Sequence, residues 1–317
     1  KEHDFDFPKN FGPRLIGTDD FGTEIMNTVY GEISYDRPDL WRNFCNYYFN
    51  CLRDVDRHMM KLIHSLEETG QMDNTIIFMI SDHGEMLGQQ GSRGKIVSWE
   101  ESIRVPTLVY HPDLKDKKLC NSVISNIDIV PTLLEFTGLS KSELRDKHPE
   151  LKGNSYAELV ENVNYDNVRD KEGHLIHGVQ IIPTVFEVAE KFRHTALADG
   201  FLAKTKAFMS EGKFLPDFTP PLNYKGVVDK KHKFLRFFSP RQNNIPTNYD
   251  ELTKYNAEYQ LYDLENDPFE MNDLAKDENN RDLLMSMNDK CNTLADKEIG
   301  LENHVIHLPG PDWFWTA

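Results

Sequence analysis

At 317 residues, 39% hydrophobic and 28% charged, the chain has a globular composition and is long enough for one large domain or two smaller ones. Its formal net charge of −16 weighs against nucleic acid and anionic membrane surfaces as general partners. No apolar run approaches the ~20 residues of a bilayer span.

Residues 1–40 are rich in Asp, Gly and Pro and read as a long loop or extended approach. From Trp41 to Thr69 apolar residues recur every three or four positions, through Phe44, Tyr48, Leu52, Val55, Met59, Leu62 and Leu66, which predicts a long amphipathic helix closed by Gly70. Thr75–Ile80 is a continuous apolar, β-branched run, as expected of a strand buried on both faces in a parallel or mixed sheet. After a polar, glycine-rich loop from Ser81 to Gly94, Val105–Tyr110 supplies another strand. Asp128 precedes a helix with Pro131 in its first turn and Gly138 beyond its end. Helix, buried strand, loop, strand and helix is α/β architecture.

Farther on, helical character is expected over Ile181–Phe192 and Ala196–Met209, and irregular structure over Lys213–Tyr224, which holds three prolines. Lys233–Phe238 and Tyr259–Leu264 read as strands, the second entering a turn at Glu265–Pro268. Asn279–Lys297 reads as an amphipathic helix through Leu283, Leu284, Met287 and Leu294. The lysine clusters at Lys115–Lys118 and Lys230–Lys233 read as solvated surface. Cys45, Cys51, Cys120 and Cys291 show no metal or disulfide spacing, and there is no Asn-x-Ser/Thr sequon. With no signal peptide in the chain, these features lean towards a reducing, cytoplasmic setting.

Asp82 and His83 follow directly on the predicted buried strand, where open α/β sheets bind ligands. A carboxylate oxygen and a neutral imidazole nitrogen are both good ligands for a divalent ion, and a turn at Gly84 would let them converge. On this local pattern alone, a plain structural turn is the commoner outcome. Lys95 lies thirteen residues beyond Asp82, in Gly91-Ser92-Arg93-Gly94-Lys95. The glycines would let Arg93 and Lys95 approach an anion closely, but an exposed basic loop has the same spacing.

The run Asn74–Gly88, with its Ser81-Asp82-His83-Gly84 centre, resembles a signature block of the sulfatase family within the alkaline-phosphatase-like superfamily. Lys95, Glu100–Pro106, Asp128–Leu134 and Leu261–Pro268 match further blocks in the right order, and the helix holding Tyr47, Tyr48 and Asp56 fits as well. His83, Glu85 and Leu87-Gly88 are closest in style to the choline-sulfatase and phosphonate-monoester-hydrolase branch. The resemblance implies an alkaline-phosphatase-like sandwich, a mixed sheet between helices, with a smaller C-terminal α+β subdomain. It places the C-terminal part of the catalytic domain at 1–225, with 140–225 irregular or inserted, and the subdomain at 226–317.

Asp82 and His83 would then ligate a divalent metal, with Ca²⁺ expected and Mn²⁺ or Mg²⁺ the alternatives. Lys95 would contact the sulfate or phosphate oxygens with Arg93 beside it, while Asp128 and Pro131 serve the helix start and Glu100 and Glu101 are structural. The family's nucleophile motif, Cys/Ser-x-Pro-x-Arg, whose first residue becomes formylglycine, is absent here, and Asp19-Asp20 makes a poor substitute for the paired aspartates of its first strand. With its start at Lys1, the chain is therefore expected to be the C-terminal portion of a sulfatase. An N-terminal segment or separate chain would complete it to hydrolyse a sulfate ester. The alternatives are a phosphate or phosphonate ester hydrolase of the same superfamily, or a catalytically inactive module kept for binding or assembly.

Overall fold

The computed structural model describes residues 2–12, 33–95, 97–114, 117–178, 223–238, 245–255 and 258–300. The helices expected at Ile181–Phe192 and Ala196–Met209, most of the irregular Lys213–Tyr224 stretch and Asp19-Asp20 lie outside these residues. The long amphipathic helix is α1, Pro38–Glu68, with a proline in its first turn. It ends at Gly70 with φ +67°, the left-handed conformation of a C-terminal cap. In its first half Trp41 and Cys45 are buried, near an aromatic cluster in which Phe7 stacks on Phe11 at 4.0 Å and Tyr35 on Trp41 at 5.0 Å. The described parts of the approach, residues 2–12 and 33–37, are irregular in backbone and tied to α1 by aromatic packing.

The strand β1, Ile77–Met79, pairs antiparallel with β2, Leu108–Tyr110. The short helix α2, Glu100–Ile103, lies between them in sequence. Phe78 meets Phe136 at 6.2 Å, on the helix α3, Ile129–Phe136. The sequence favours a strand buried on both faces, but β1 is only half buried. Its only strand partner among the described residues is β2.

Short helices α4 (Lys141–Lys147), α5 (Ala157–Glu161) and α6 (Val168–Glu172) follow, α4 opened by a Ser140–Glu143 capping box. A four-stranded antiparallel sheet then runs β3-β4-β5-β6, with β3 at His174–Gly178, β4 at Asn223–Val228, β5 at His232–Phe238 and β6 at Glu258–Asp263. The helix α7, Tyr249–Tyr255, lies between β5 and β6, and α8, Arg281–Glu298, follows β6. One sheet face, with Val227, Phe234 and Leu261, packs on Leu284, Met287, Cys291 and Leu294 of α8. The other face holds Ile176, Tyr224, Leu235 and Phe237 against Ile103 and Leu264. Tyr262, also on β6, joins Met86 and Trp99, so the loop beyond β1 is seated on this sheet.

The sheet takes strands from both sides of residue 225. Lys230 and Lys231 are exposed as expected, but Lys233 is not solvated surface. It is fully buried, with its ammonium 2.6 Å from Glu270 Oε1 and 3.3 Å from Glu100 Oε1. A four-residue charge run cannot reveal that its last member lies on a central strand covered on both faces, where Lys233 to Phe238 are all buried. All four cysteines are free. No helix among the described residues is long and apolar enough to cross a membrane.

Candidate active site

The chain leaves β1 at Met79 and turns immediately. Ser81 Oγ donates to the carbonyl of His83 at 2.8 Å, and Asn126 Nδ2 donates to the carbonyl of Ser81 at 3.0 Å. The Gly84 N–H donates to the Ser102 carbonyl on α2 at 2.8 Å. A Cβ at Gly84 would lie 1.9 Å from the Glu101 carbonyl oxygen. Glycine is required here because two backbones touch, and no left-handed φ is involved.

This contact lets neighbouring side chains converge. Asp82 Oδ2 lies 3.3 Å from His83 Nε2, and Asp82 Oδ1 accepts the His83 N–H at 3.0 Å. His83 Nδ1 is 2.8 Å from the Gly84 carbonyl, an acceptor only, so the proton of the neutral ring belongs on Nδ1 and the Nε2 lone pair is left outward. Lys95 Nζ is 2.5 Å from that Nε2. The Asp82 carboxyl lies below its ordinary value: desolvation, the largest single influence, pushes it up, but hydrogen bonds from its own and the His83 N–H, together with neighbouring positive charge including Lys95, outweigh it. The Asp82 side chain is 83% exposed, so the cluster opens to solvent.

Lys95 is delivered by a tightly folded loop. Glu85 Oε1 accepts the Gly94 N–H at 2.6 Å, Met86 N–H donates to the Gly94 carbonyl at 2.9 Å, and Gly88 N–H donates to the Ser92 carbonyl at 2.8 Å. Gly88 and Gly94 both have positive φ, and a Cβ at Gly88 would strike Phe11 at 2.6 Å. Arg93, expected beside Lys95 at the anion, is buried with 6% exposure. Its charge acts on Tyr35, whose hydroxyl burial pushes well above the ordinary value while Arg93 pulls it down. Asp82, His83 and Lys95 are brought together; Arg93 is turned into the protein.

Behind the turn, Asp128 does more than begin a helix. Its Oδ2 accepts the Ser125 N–H at 2.9 Å, and its two oxygens take a bidentate pair from Arg169 of α6, both at 2.6 Å and both groups buried. This fixes the 3₁₀ turn Asn126–Asp128 that carries the brace on Ser81. Sequence reasoning missed Asn126 and Arg169 because each meets its partner across more than forty positions, with no local pattern to mark the pairing. A cavity of about 340 Å³ lined by Pro131, Lys141, Leu144, Tyr165 and Asn167 lies among α3, α4 and α6, and none of Asp82, His83 or Lys95 lines it.

The donor set can be tested against a metal ion. Two donors ~2.0–2.4 Å from one ion sit roughly 3 Å apart, and Asp82 Oδ2 and His83 Nε2 meet that spacing at 3.3 Å. Among the described residues no group of three or more His, Cys, Asp or Glu side chains is gathered for an ion. The spacing of the pair suits two ligands of one ion, with no third such side chain beside it among the described residues.

Residues 5–139 match the sulfatase family. The chain is similar to the arylsulfatase of Clostridium perfringens, 33% identical over 121 residues, or 37% of this chain and 24% of that protein. It is also similar to the choline-sulfatase of Rhizobium meliloti, 37% identical over 98 residues, 31% of this chain and 19% of the relative. To the extracellular sulfatase SULF-1 homolog of Drosophila melanogaster it is 36% identical over 96 residues, 30% of this chain and 9% of that protein. The matches thus span less than a quarter of each of these relatives. Among solved structures, the phosphonate monoester hydrolase of Silicibacter pomeroyi superposes with a TM-score of 0.60 at 18% identity, covering 91% of this chain and 50% of that one. A 2-O glycosaminoglycan sulfatase superposes at 0.60 with 14% identity, covering 92% and 52%. At these identities the superpositions show the fold alone, which is the alkaline-phosphatase-like α/β fold the sequence leads one to expect.

Proposed function

We propose, from the membership of residues 5–139 in the sulfatase family, that this chain supplies part of the active site of a metal-dependent sulfate-ester hydrolase. The observation that carries the proposal is the convergence of Asp82 Oδ2, His83 Nε2 and Lys95 Nζ at the exit of β1. Asp82 and His83 are assigned as ligands of a divalent ion, Ca²⁺ first, with Mn²⁺ or Mg²⁺ as alternatives, the imidazole nitrogen arguing against a site of oxygen ligands alone. When bound, the ion supplies positive charge against the oxygens of the transferring group. Lys95 adds a second cation for those oxygens. Because its ammonium shares the Nε2 lone pair with any bound ion, it is assigned to turn from His83 to the substrate. Arg93 is assigned a weaker part, adding positive field from within the protein without contact.

The nucleophile, expected as formylglycine, is assigned to a further N-terminal sulfatase portion, either in the same polypeptide or in a separate chain. The small C-terminal unit, drawn at 226–317 from the sequence, is proposed to take His174–Gly178 as its first strand. A reducing compartment is proposed as well, with which the four free cysteines are consistent.

The test is made on the complete protein with Lys95→Ala, assayed in parallel on a sulfate and a phosphate monoester. Metal content should be unchanged and sulfate-ester turnover should fall by a factor worth ~3 kcal/mol. Unchanged turnover would remove Lys95 from the site. Preferential turnover of the phosphate ester would move the assignment to that chemistry. No turnover of either ester by the parent protein would leave the inactive-module reading.

A further inference from the structure

The Asp82–His83 turn and the Lys95 loop are both tied to one pair of residues far along the chain, Phe269 and Glu270, which follow the turn beyond β6. Glu270 is fully buried, and its Oε2 accepts the Glu100 N–H at 2.8 Å. That N–H belongs to the first turn of α2, where a helix offers it no partner of its own. Lys233 closes the group from β5, paired with Glu270 and Glu100 together. The next two residues of α2 carry the contacts of the metal-ligand turn. The Glu101 carbonyl lies against Gly84, and the Ser102 carbonyl accepts the Gly84 N–H. A shift of Glu100 is therefore a shift in the seat of Asp82 and His83.

The lysine loop is held at the adjacent carbonyl. Gln90 Nε2 donates to the Phe269 carbonyl at 2.7 Å, and the Gln90 N–H donates to the Asn10 carbonyl at 2.8 Å. Asn10 completes the junction, with its Nδ2 2.6 Å from Glu101 Oε1 and 3.4 Å from the same Phe269 carbonyl. Asn10, Gln90 and Glu270 are each at most 3% exposed. Apolar packing would join these segments, but directed bonds between buried polar groups also fix their relative position. Backbone strain gathers at the same place. Leu87, Gln90 and Glu270, with φ of +48°, +52° and +52°, are the three non-glycine residues with positive φ among the described residues. Such conformations persist where the surrounding contacts over-determine them, and they concentrate at functional sites.

We propose that Glu270 and Gln90 are positioning residues of the Asp82–His83–Lys95 site, Glu270 seating the metal-ligand turn through α2 and Gln90 seating the lysine loop on the Phe269 carbonyl. Together they set the place of the lysine relative to the metal ligands. This inference rests on the reading of Asp82, His83 and Lys95 as the site of a metal-dependent sulfate-ester hydrolase.

The test uses Gln90→Leu and Glu270→Leu in the complete protein. Glu270→Leu leaves Lys233 paired with Glu100, so no buried cation is stranded. Hydrogen exchange is followed first, on the metal-free protein. Gln90→Leu should speed exchange about tenfold at Met86 and Gly88, whose N–H groups close the lysine loop, and Glu270→Leu should do the same at Gly84. Exchange in α8 should keep the parent's rate in both. Titration with Ca²⁺ and with Mn²⁺, and steady-state kinetics, then separate the two arms. Glu270→Leu should weaken metal binding about tenfold, while Gln90→Leu should lower kcat about tenfold with KM and metal affinity near the parent's. A merely structural role would lower the melting temperature of both variants without this split. Parent exchange rates at these amides overturn the proposal, as does an acceleration that reaches α8 equally. Gln90→Leu leaves the Lys233–Glu270–Glu100 group intact, so it decides the proposal even where Glu270→Leu fails to fold. If the parent protein hydrolyses neither a sulfate nor a phosphate ester, the hydrolase reading fails, and the exchange rates still decide the positioning. If the parent is active and Gln90→Leu matches it in exchange and turnover, the positioning alone is wrong.

Discussion

Arg169→Met should cost the chain about 3 kcal/mol of folding stability at neutral pH, and part of that cost should vanish in acid. The Arg169 guanidinium is buried and donates to both oxygens of Asp128 at 2.6 Å, to the Gly173 carbonyl at 3.2 Å and to Glu298 Oε1 at 3.2 Å. Removing one partner of a buried ion pair typically costs ~3–5 kcal/mol. The lower end applies because Asp128 keeps two backbone donors, the N–H groups of Ser125 at 2.9 Å and Asn154 at 2.7 Å. Among the described residues Glu298 has no such reserve: burial already pushes its carboxyl above the ordinary value, and Arg169 is the main influence holding it down. In the variant that carboxyl rises further. A carboxyl raised in the folded state favours folding where it is protonated, so the Glu298 share of the penalty is absent below its unfolded value and returns as pH rises through the folded one. Urea unfolding followed by tryptophan fluorescence at pH ~7.5 and ~4.5 measures both parts. A loss under about 1 kcal/mol at neutral pH, or the same loss at both pH values, would refute the reasoning.

Gly84→Ala should displace the Asp82-His83 turn, because the added Cβ would lie 1.9 Å from the Glu101 backbone oxygen. It should cost about 1–3 kcal/mol and weaken metal binding in the complete protein; unchanged melting and metal affinity would contradict it. Glu270 faces Lys233 and Glu100 in a fully enclosed position, and burial pushes its carboxyl up to about 7, with Lys233 opposing. Its contribution to stability is therefore complete below its unfolded value and lost as pH rises through about 7. Glu270→Gln should flatten the stability profile over that window, and a slope identical to the parent's would assign it to other groups.

The elements that could be read from the sequence are those whose signal is local. The α1 stripe, the Gly70 cap, the Pro131 and Gly138 bounds of α3 and the Leu284–Leu294 face of α8 all emerge within a turn or so of where the pattern places them. Asp82, His83 and Lys95 are singled out by the family resemblance, since the local pattern alone favours a plain turn; the structure brings their side chains together. What could not be read depends on partners far along the chain. Arg93 and Lys95 share one glycine-rich loop, and only the tertiary fold separates the buried side chain of the first from the exposed one of the second. Lys233 sits in a charge run, and its burial follows only from β5 lying between β4 and β6 with both faces covered. The half-buried state of β1 has the same origin, since burial of a strand is a property of its neighbours.

The most direct test of the active-site assignment is metal content and sulfate-ester hydrolysis of Asp82→Ala, measured together on the complete protein. Asp82 is exposed and accepts only local hydrogen bonds, so its removal should leave the fold intact. The assignment predicts that bound metal and activity are lost together while the melting behaviour of the metal-free protein is unchanged. Full metal occupancy in Asp82→Ala would contradict it.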